Sequence, residues 1–148
     1  MTLSDLTAPA LPAEPEDDVG GDLLDGARVL VAAGDAWWRW SLCGWLALRG
    51  ATTRQVGGGA EALEIIADGA RFDLLVVDLR VGALDSVWIV ATLRALGIAL
   101  PCLIVGGRAP QLTARTRRLG GRVAVMAAPL PFEQLRLHAQ HLLSAGAR

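Results

Sequence analysis

The sequence predicts an α/β domain built on a doubly wound, five-stranded parallel sheet with helices on both faces. Three observations predict it. Hydrophobic residues make up 53% of the 148-residue chain, with Val, Leu, Ile and Ala prominent, a composition that suits strands buried on both faces. From Arg28 onward, short apolar runs alternate with segments of helical periodicity. Gly, Pro or a capping Asp stands at most junctions between them.

The elements follow in order. Val29–Ala33 is a short apolar strand. Asp35 is placed to cap a helix over Ala36–Leu48, which Gly50 closes. Ala51–Val56, rich in Thr, reads as an edge strand. Gly57–Gly59 lead into a helix over Ala60–Ala67, with Leu63 and Ile66 directed at the core. Phe72–Asp78 is a strongly apolar strand. Asp85 and Ser86 are candidates to cap a helix over Val87–Leu96, stopped by Gly97. Pro101–Val105 is a fourth strand, and Pro110–Leu119 an arginine-rich helix ended by Gly120-Gly121. Val123–Ala127 is the fifth strand, and Phe132–Leu143 the last helix.

Parallel strands require crossovers, and these are right-handed. The pattern therefore predicts a flavodoxin-like sheet of order 2-1-3-4-5, whose functional groups gather at the carboxyl ends of the strands.

Residues 1–26 differ from the rest. They hold three prolines, seven acids and no base, too little apolar surface to offset the entropy of ordering. They read as a disordered acidic tail in which Leu23 and Leu24 can dock, and residues 27–148 as the folded domain. The whole chain has a net charge of −1, so residues 27–148 carry a positive surplus of about six charges. All fourteen cationic side chains are arginine, and lysine and tyrosine are absent, which excludes any mechanism that needs a lysine ammonium.

Cys43 and Cys102 read as buried free thiols. Without a C-x-x-C pair, and with His138 and His141 as the only histidines, the usual zinc sites are not expected. The N-terminus lacks a basic leader and no apolar run is long enough for a bilayer. A cytoplasmic protein that does not enter membranes is the expectation.

Asp78 is the one ionisable group among the predicted strand ends. Its neighbours there are Ala33-Gly34, Gly106-Gly107 and Ala128-Pro129. With the runs Arg28–Asp35, Phe72–Arg80, Pro101–Gly107 and Ala128–Leu135 in this order and spacing, residues 27–143 resemble the receiver (CheY-like) domains of bacterial response regulators. The resemblance implies that Asp78 is the equivalent of the Asp phosphorylated by a histidine kinase. It also implies an acidic pair after the first strand that holds Mg²⁺, a Thr or Ser after the fourth and a Lys before Pro on the fifth. These positions fall on Ala33 and Gly34, on Gly106 and on Ala128. The aromatic switch position falls near Val125. Phosphoryl transfer depends on a metal and on cations to offset charge on the phosphoryl oxygens. The departures therefore predict a degenerate pseudo-receiver with no metal site. Asp78 is expected to be a partly solvated relic or to pair with Arg80 or Arg108.

Other surfaces remain as candidates for partners. Trp38, Leu42 and Trp45 share one helical face and are expected on the sheet. Trp37, Arg39 and Trp40 lie off that stripe, on the face where the resemblance places kinases and phosphotransfer proteins. Trp88 marks a second patch, suited to a homodimer. Arg115, Arg117, Arg118 and Arg122 form a basic cluster in and after the fourth predicted helix. Nucleic acid is not expected, because no DNA-binding helix-turn-helix follows. Gly57–Gly59 follow the second strand without G-x-G-x-x-G spacing and read as a loop.

The leading reading is a stand-alone, non-enzymatic interaction module in two-component signalling, without cofactor. One alternative is a working regulator phosphorylated at Asp78, with Mg²⁺ held by Asp35 and Asp78. Another is a small-ligand sensor using the hollow at Ala33, Gly34, Gly106 and Ala128.

Overall fold

A computed structural model of the chain describes residues 24–78, 80–81, 84–106, 122–126 and 132–146. The sheet contains β1 (Arg28–Ala32), β2 (Thr52–Val56), β3 (Leu74–Asp78), β4 (Cys102–Val105) and β5 (Val123–Met126). All neighbours are parallel, in the order β2-β1-β3-β4-β5. This is the predicted doubly wound sheet. Helices α1 (Ala36–Leu48), α2 (Gly59–Ala67), α3 (Ser86–Ala95) and α4 (Phe132–Gly146) accompany it. A two-residue antiparallel ladder, Arg80–Val81 with Leu84–Asp85, lies between β3 and α3. The helix predicted over Pro110–Leu119 lies outside the described residues.

Strand periodicity sorts the core into two layers. Val29, Val31, Leu74, Val76 and Leu103 pack with Leu42 and Leu46 of α1 and Leu135 of α4. Leu30, Ala32, Leu75, Val77 and Ile104 point the other way, onto Ile66 of α2 and Leu93 of α3. Successive strand residues alternate between faces, so a parallel strand buried twice must be apolar throughout. β4 meets this rule along its length, β1 departs from it only at exposed Arg28, and β3 only at half-buried Asp78.

Trp38 and Trp45 pack against the α1 layer, as their spacing with Leu42 predicts. Trp45 also meets Phe132 of α4, with ring centroids 5.5 Å apart. Gly50 closes α1 with φ +93°, where an added Cβ would sit 2.2 Å from Asp25 Oδ1. Leu24 is buried in the core, and Gly26 N–H donates to Gly50 O at 2.9 Å. Leu24 thus docks on the domain as expected, and Gly26 is tied to the end of α1. Residues 1–23 lie outside the described residues.

Ser86 does not cap α3. It lies inside the first turn, fully buried, and its hydroxyl has no hydrogen-bond partner among the described residues.

Cys43 and Cys102 are free and buried. Burial pushes the Cys102 thiol up to about 11, against the smaller opposing pull of Arg94. Burial also raises Cys43, opposed by a hydrogen bond with Thr53 and by the charge of Arg39. The folded state therefore keeps protons that the unfolded chain gives up at ordinary thiol pH. Stability from this source is fully present below about pH 9 and is lost as the pH rises towards about 11. Lysine and tyrosine, which would otherwise titrate there, are absent.

Two outcomes follow. Urea denaturation between pH 8 and pH 11 should show stability falling over the upper part of this range (about pH 9 to 11), with a shallower fall in Cys102→Val. At pH 7, Leu103→Ala in the centre of the sheet should cost about 2–5 kcal/mol in the same assay.

Candidate functional site

The chain crosses from β1 to β2 in one direction and from β3 to β4 in the other. The crevice between these crossovers opens at the carboxyl ends of β1 and β3, the usual position of a site in this topology. In register, Ala32 pairs with Val77 and Asp78 with Val105. Ala33 therefore lies level with Asp78, and Gly106 follows directly on the other side. Asp78 is half-buried, whereas Ala33 and Gly106 are buried.

Asp35 does what its position before a helix predicts. Its Oδ1 accepts from the backbone N–H of Trp37 at 3.0 Å and of Trp38 at 3.3 Å. These are two of the N–H groups that a helix start leaves without intrahelical partners, and a carboxylate there also meets the positive end of the helix dipole.

Arg39 is the residue whose role the sequence reading missed. Its place on α1 suggests an outward partner surface, but its side chain turns in towards the ends of β1 and β2. Nη1 donates to the Ala33 carbonyl at 2.6 Å, and Nε donates to Gln55 Oε1 at 3.0 Å. Nη1 also lies 3.5 Å from where a Cβ on Gly57 would stand. The correction has a physical cause: Ala33 lies just past the β1 ladder, where a carbonyl gains from a charged donor. The signal was available in outline, since Arg39 sits one helical turn beyond the Asp35 cap. Its result is a permanent cation at the β1 end.

Gly106 donates its N–H to Met126 O at 2.8 Å and has φ +109°. L side chains rarely adopt that backbone conformation. Gly58 serves as N-cap and Gly59 as the first residue of α2, so Gly57–Gly59 form the helix entry.

Other predicted positions are less visible. Gly107, Arg108, Arg115, Arg117, Arg118, Ala128 and Pro129 lie outside the described residues, as does the side chain of Arg80. Val125 is partly buried against the α2–α3 layer. Among the described residues, no three His, Cys, Asp or Glu side chains stand close enough together to hold a metal ion.

Beside the crevice, Trp37 and Trp40 are 72% and 64% exposed. Their ring centroids are 6.1 Å apart at a tilt of 49°, within the range of favourable aromatic pairs. Trp88 is 50% exposed on α3, away from α1.

No family model and no curated protein matches this chain. Solved structures do. The receiver domain of Francisella response regulator 1452 is 20% identical with a TM-score of 0.72, over 82% of this chain and 99% of that one. A response regulator receiver protein from Sinorhizobium medicae is 22% identical with a TM-score of 0.72, over 82% and 98%. A CheY-like receiver domain protein from Methanospirillum hungatei is 16% identical with a TM-score of 0.74, over 83% and 98%.

The chain has the receiver fold. Within that fold, Asp78 ends the third strand where the resemblance places the phosphoacceptor. The residues at the β1 end are Ala33 and Gly34, with Asp35 one step further on.

The capping role of Asp35 is testable. Asn caps as well as Asp, and Ala does not. Asp35→Ala should lower stability by about 1 kcal/mol and Asp35→Asn by no more than a few tenths, read from urea midpoints at pH 7.

Proposed function

We propose that this receiver-fold chain is a signalling module that acts through protein–protein contact, without Mg²⁺-dependent phosphorylation of Asp78 and without a catalytic reaction of its own. The observation that carries the proposal is the β1 end, where Ala33 and Gly34 offer no carboxylate and Arg39 donates to the Ala33 carbonyl.

Mg²⁺ prefers octahedral oxygen ligation and is usually anchored by one or two carboxylates. Asp78 is one. Asp35 supplies no ready second, because Oδ1 already accepts two helix N–H groups and turning away would uncap α1. The described residues at the β1 end do not fit the ion. The absence of lysine removes the cation that pairs with a phosphoryl group in the resemblance. The backbone at Gly106 also disfavours the hydroxyl-bearing residue of that position. The working-regulator alternative therefore lacks a second carboxylate at Ala33 and Gly34, beside Asp78.

The contact surface of this proposal is the α1 face. Trp37 and Trp40 present two paired, exposed rings beside the site, and Trp is enriched among residues that dominate binding energy. The proposed partner is a histidine kinase or phosphotransfer protein, with Trp88 as a separate homodimer surface. The proposed setting is cytoplasmic, with no membrane or nucleic-acid partner. No helix among the described residues is long and apolar enough to cross a membrane.

Incubation with acetyl phosphate and Mg²⁺, followed by intact mass measurement, tests the proposal. No mass gain is expected in the wild-type chain or in Asp78→Asn. A phosphoryl adduct on the wild type that disappears in Asp78→Asn would overturn it.

A further inference from the structure

We infer a second binding site, at the end of the sheet opposite Asp78, for a small organic anion with an apolar body. A cavity of about 700 Å³ opens there among the amino-terminal ends of the strands, within the size range of small-molecule sites.

Its lining divides into two parts. Ile66, Phe72, Ile98 and Leu100 supply apolar lining, and Arg28, Arg71 and Arg122 supply cationic lining. The acids nearby do not neutralise all three. Asp73 pairs with Arg28 at 3.7 Å and also accepts from Arg28 N–H. The carboxylate of Asp25 lies against Gly50. Arg122 donates Nη1 to the Leu142 carbonyl at 3.2 Å, a neutral acceptor that leaves its charge in place. Arg71 is exposed, with no ion pair or hydrogen bond among the described residues. Among the described residues, Arg71 and Arg122 thus flank the apolar lining without an ion pair of their own.

The walls are held in advance. Arg94 donates Nη1 to Ile98 O at 2.9 Å and Nη2 to Arg122 O at 3.4 Å, tying the α3–β4 turn to the start of β5. A site whose walls are fixed before binding loses less entropy on binding. The ligand class follows from the two parts. A carboxylate, phosphate or sulfonate meets the planar donors of Arg71 and Arg122, while an aromatic or acyl body covers Phe72 and Ile66.

The test uses 8-anilinonaphthalene-1-sulfonate, whose fluorescence reports apolar binding, and its uncharged relative N-phenyl-1-naphthylamine. Inorganic phosphate serves as the head group alone. The full chain should bind the sulfonate saturably at one site. Binding should weaken at least about tenfold in Arg71→Gln and for the uncharged relative, and inorganic phosphate should not compete at equal concentration. Arg71 is exposed, so an unchanged thermal midpoint verifies the fold of the variant. Trp40→Ala controls for the exposed tryptophans at the other end and should leave binding unchanged. Equal affinity in Arg71→Gln, equal affinity for the uncharged relative, competition by phosphate alone, or loss of the signal in Trp40→Ala would each overturn the site.

Discussion

The parallel pairing of β1 with β3 is the constraint on which the rest of this structure depends. Two adjacent parallel strands cannot be joined by a tight turn. The chain must leave each of them through a helix, and here it leaves in opposite directions. That divergence buries both strands on both faces and requires the unbroken apolar runs Val29–Ala32 and Leu74–Val77. It also gives the sheet two unlike ends. At one, the strands stop in a crevice that holds Asp78. At the other, helix carboxyl ends meet strand starts, and their carbonyls attract arginine side chains.

The all-arginine composition is used differently at each end. Near Asp78, Arg39 is held by the Ala33 carbonyl and Gln55, so a fixed cation stands beside the crevice. At the far end, Arg94 and Arg122 donate to carbonyls of turn and helix and brace loops that would otherwise be free to separate. A guanidinium suits both tasks, because its donors point in several directions in one plane. An ammonium group could make either set of contacts less well.

The fold was legible because two periodicities, one for strands and one for helices, run through most of the chain. Asp35 as a cap, Trp38 and Trp45 on the core stripe and Gly50 at the helix end are local rules, and each is visible in the structure. What was not legible depends on distance in sequence. Ser86 resembles a cap by type, but the helix starts at Ser86 itself, so its side chain is enclosed within the first turn. Arg39 belongs to an exposed-looking position on α1, and only the packing of α1 across β1 and β2 brings its guanidinium over Ala33. The cavity at the amino-terminal ends draws on segments from Asp25 to Leu143, and no window of sequence contains them together. Leu24, expected to dock out of an acidic segment, is buried beside the turn that precedes β1.

The positive φ of Gly106 has a bearing on which residues that position can take. A side chain there would be strained by upwards of about 1–2 kcal/mol, because the backbone lies in a region that glycine enters freely. Residue type and backbone conformation are therefore coupled at the end of β4: neither can change alone without cost.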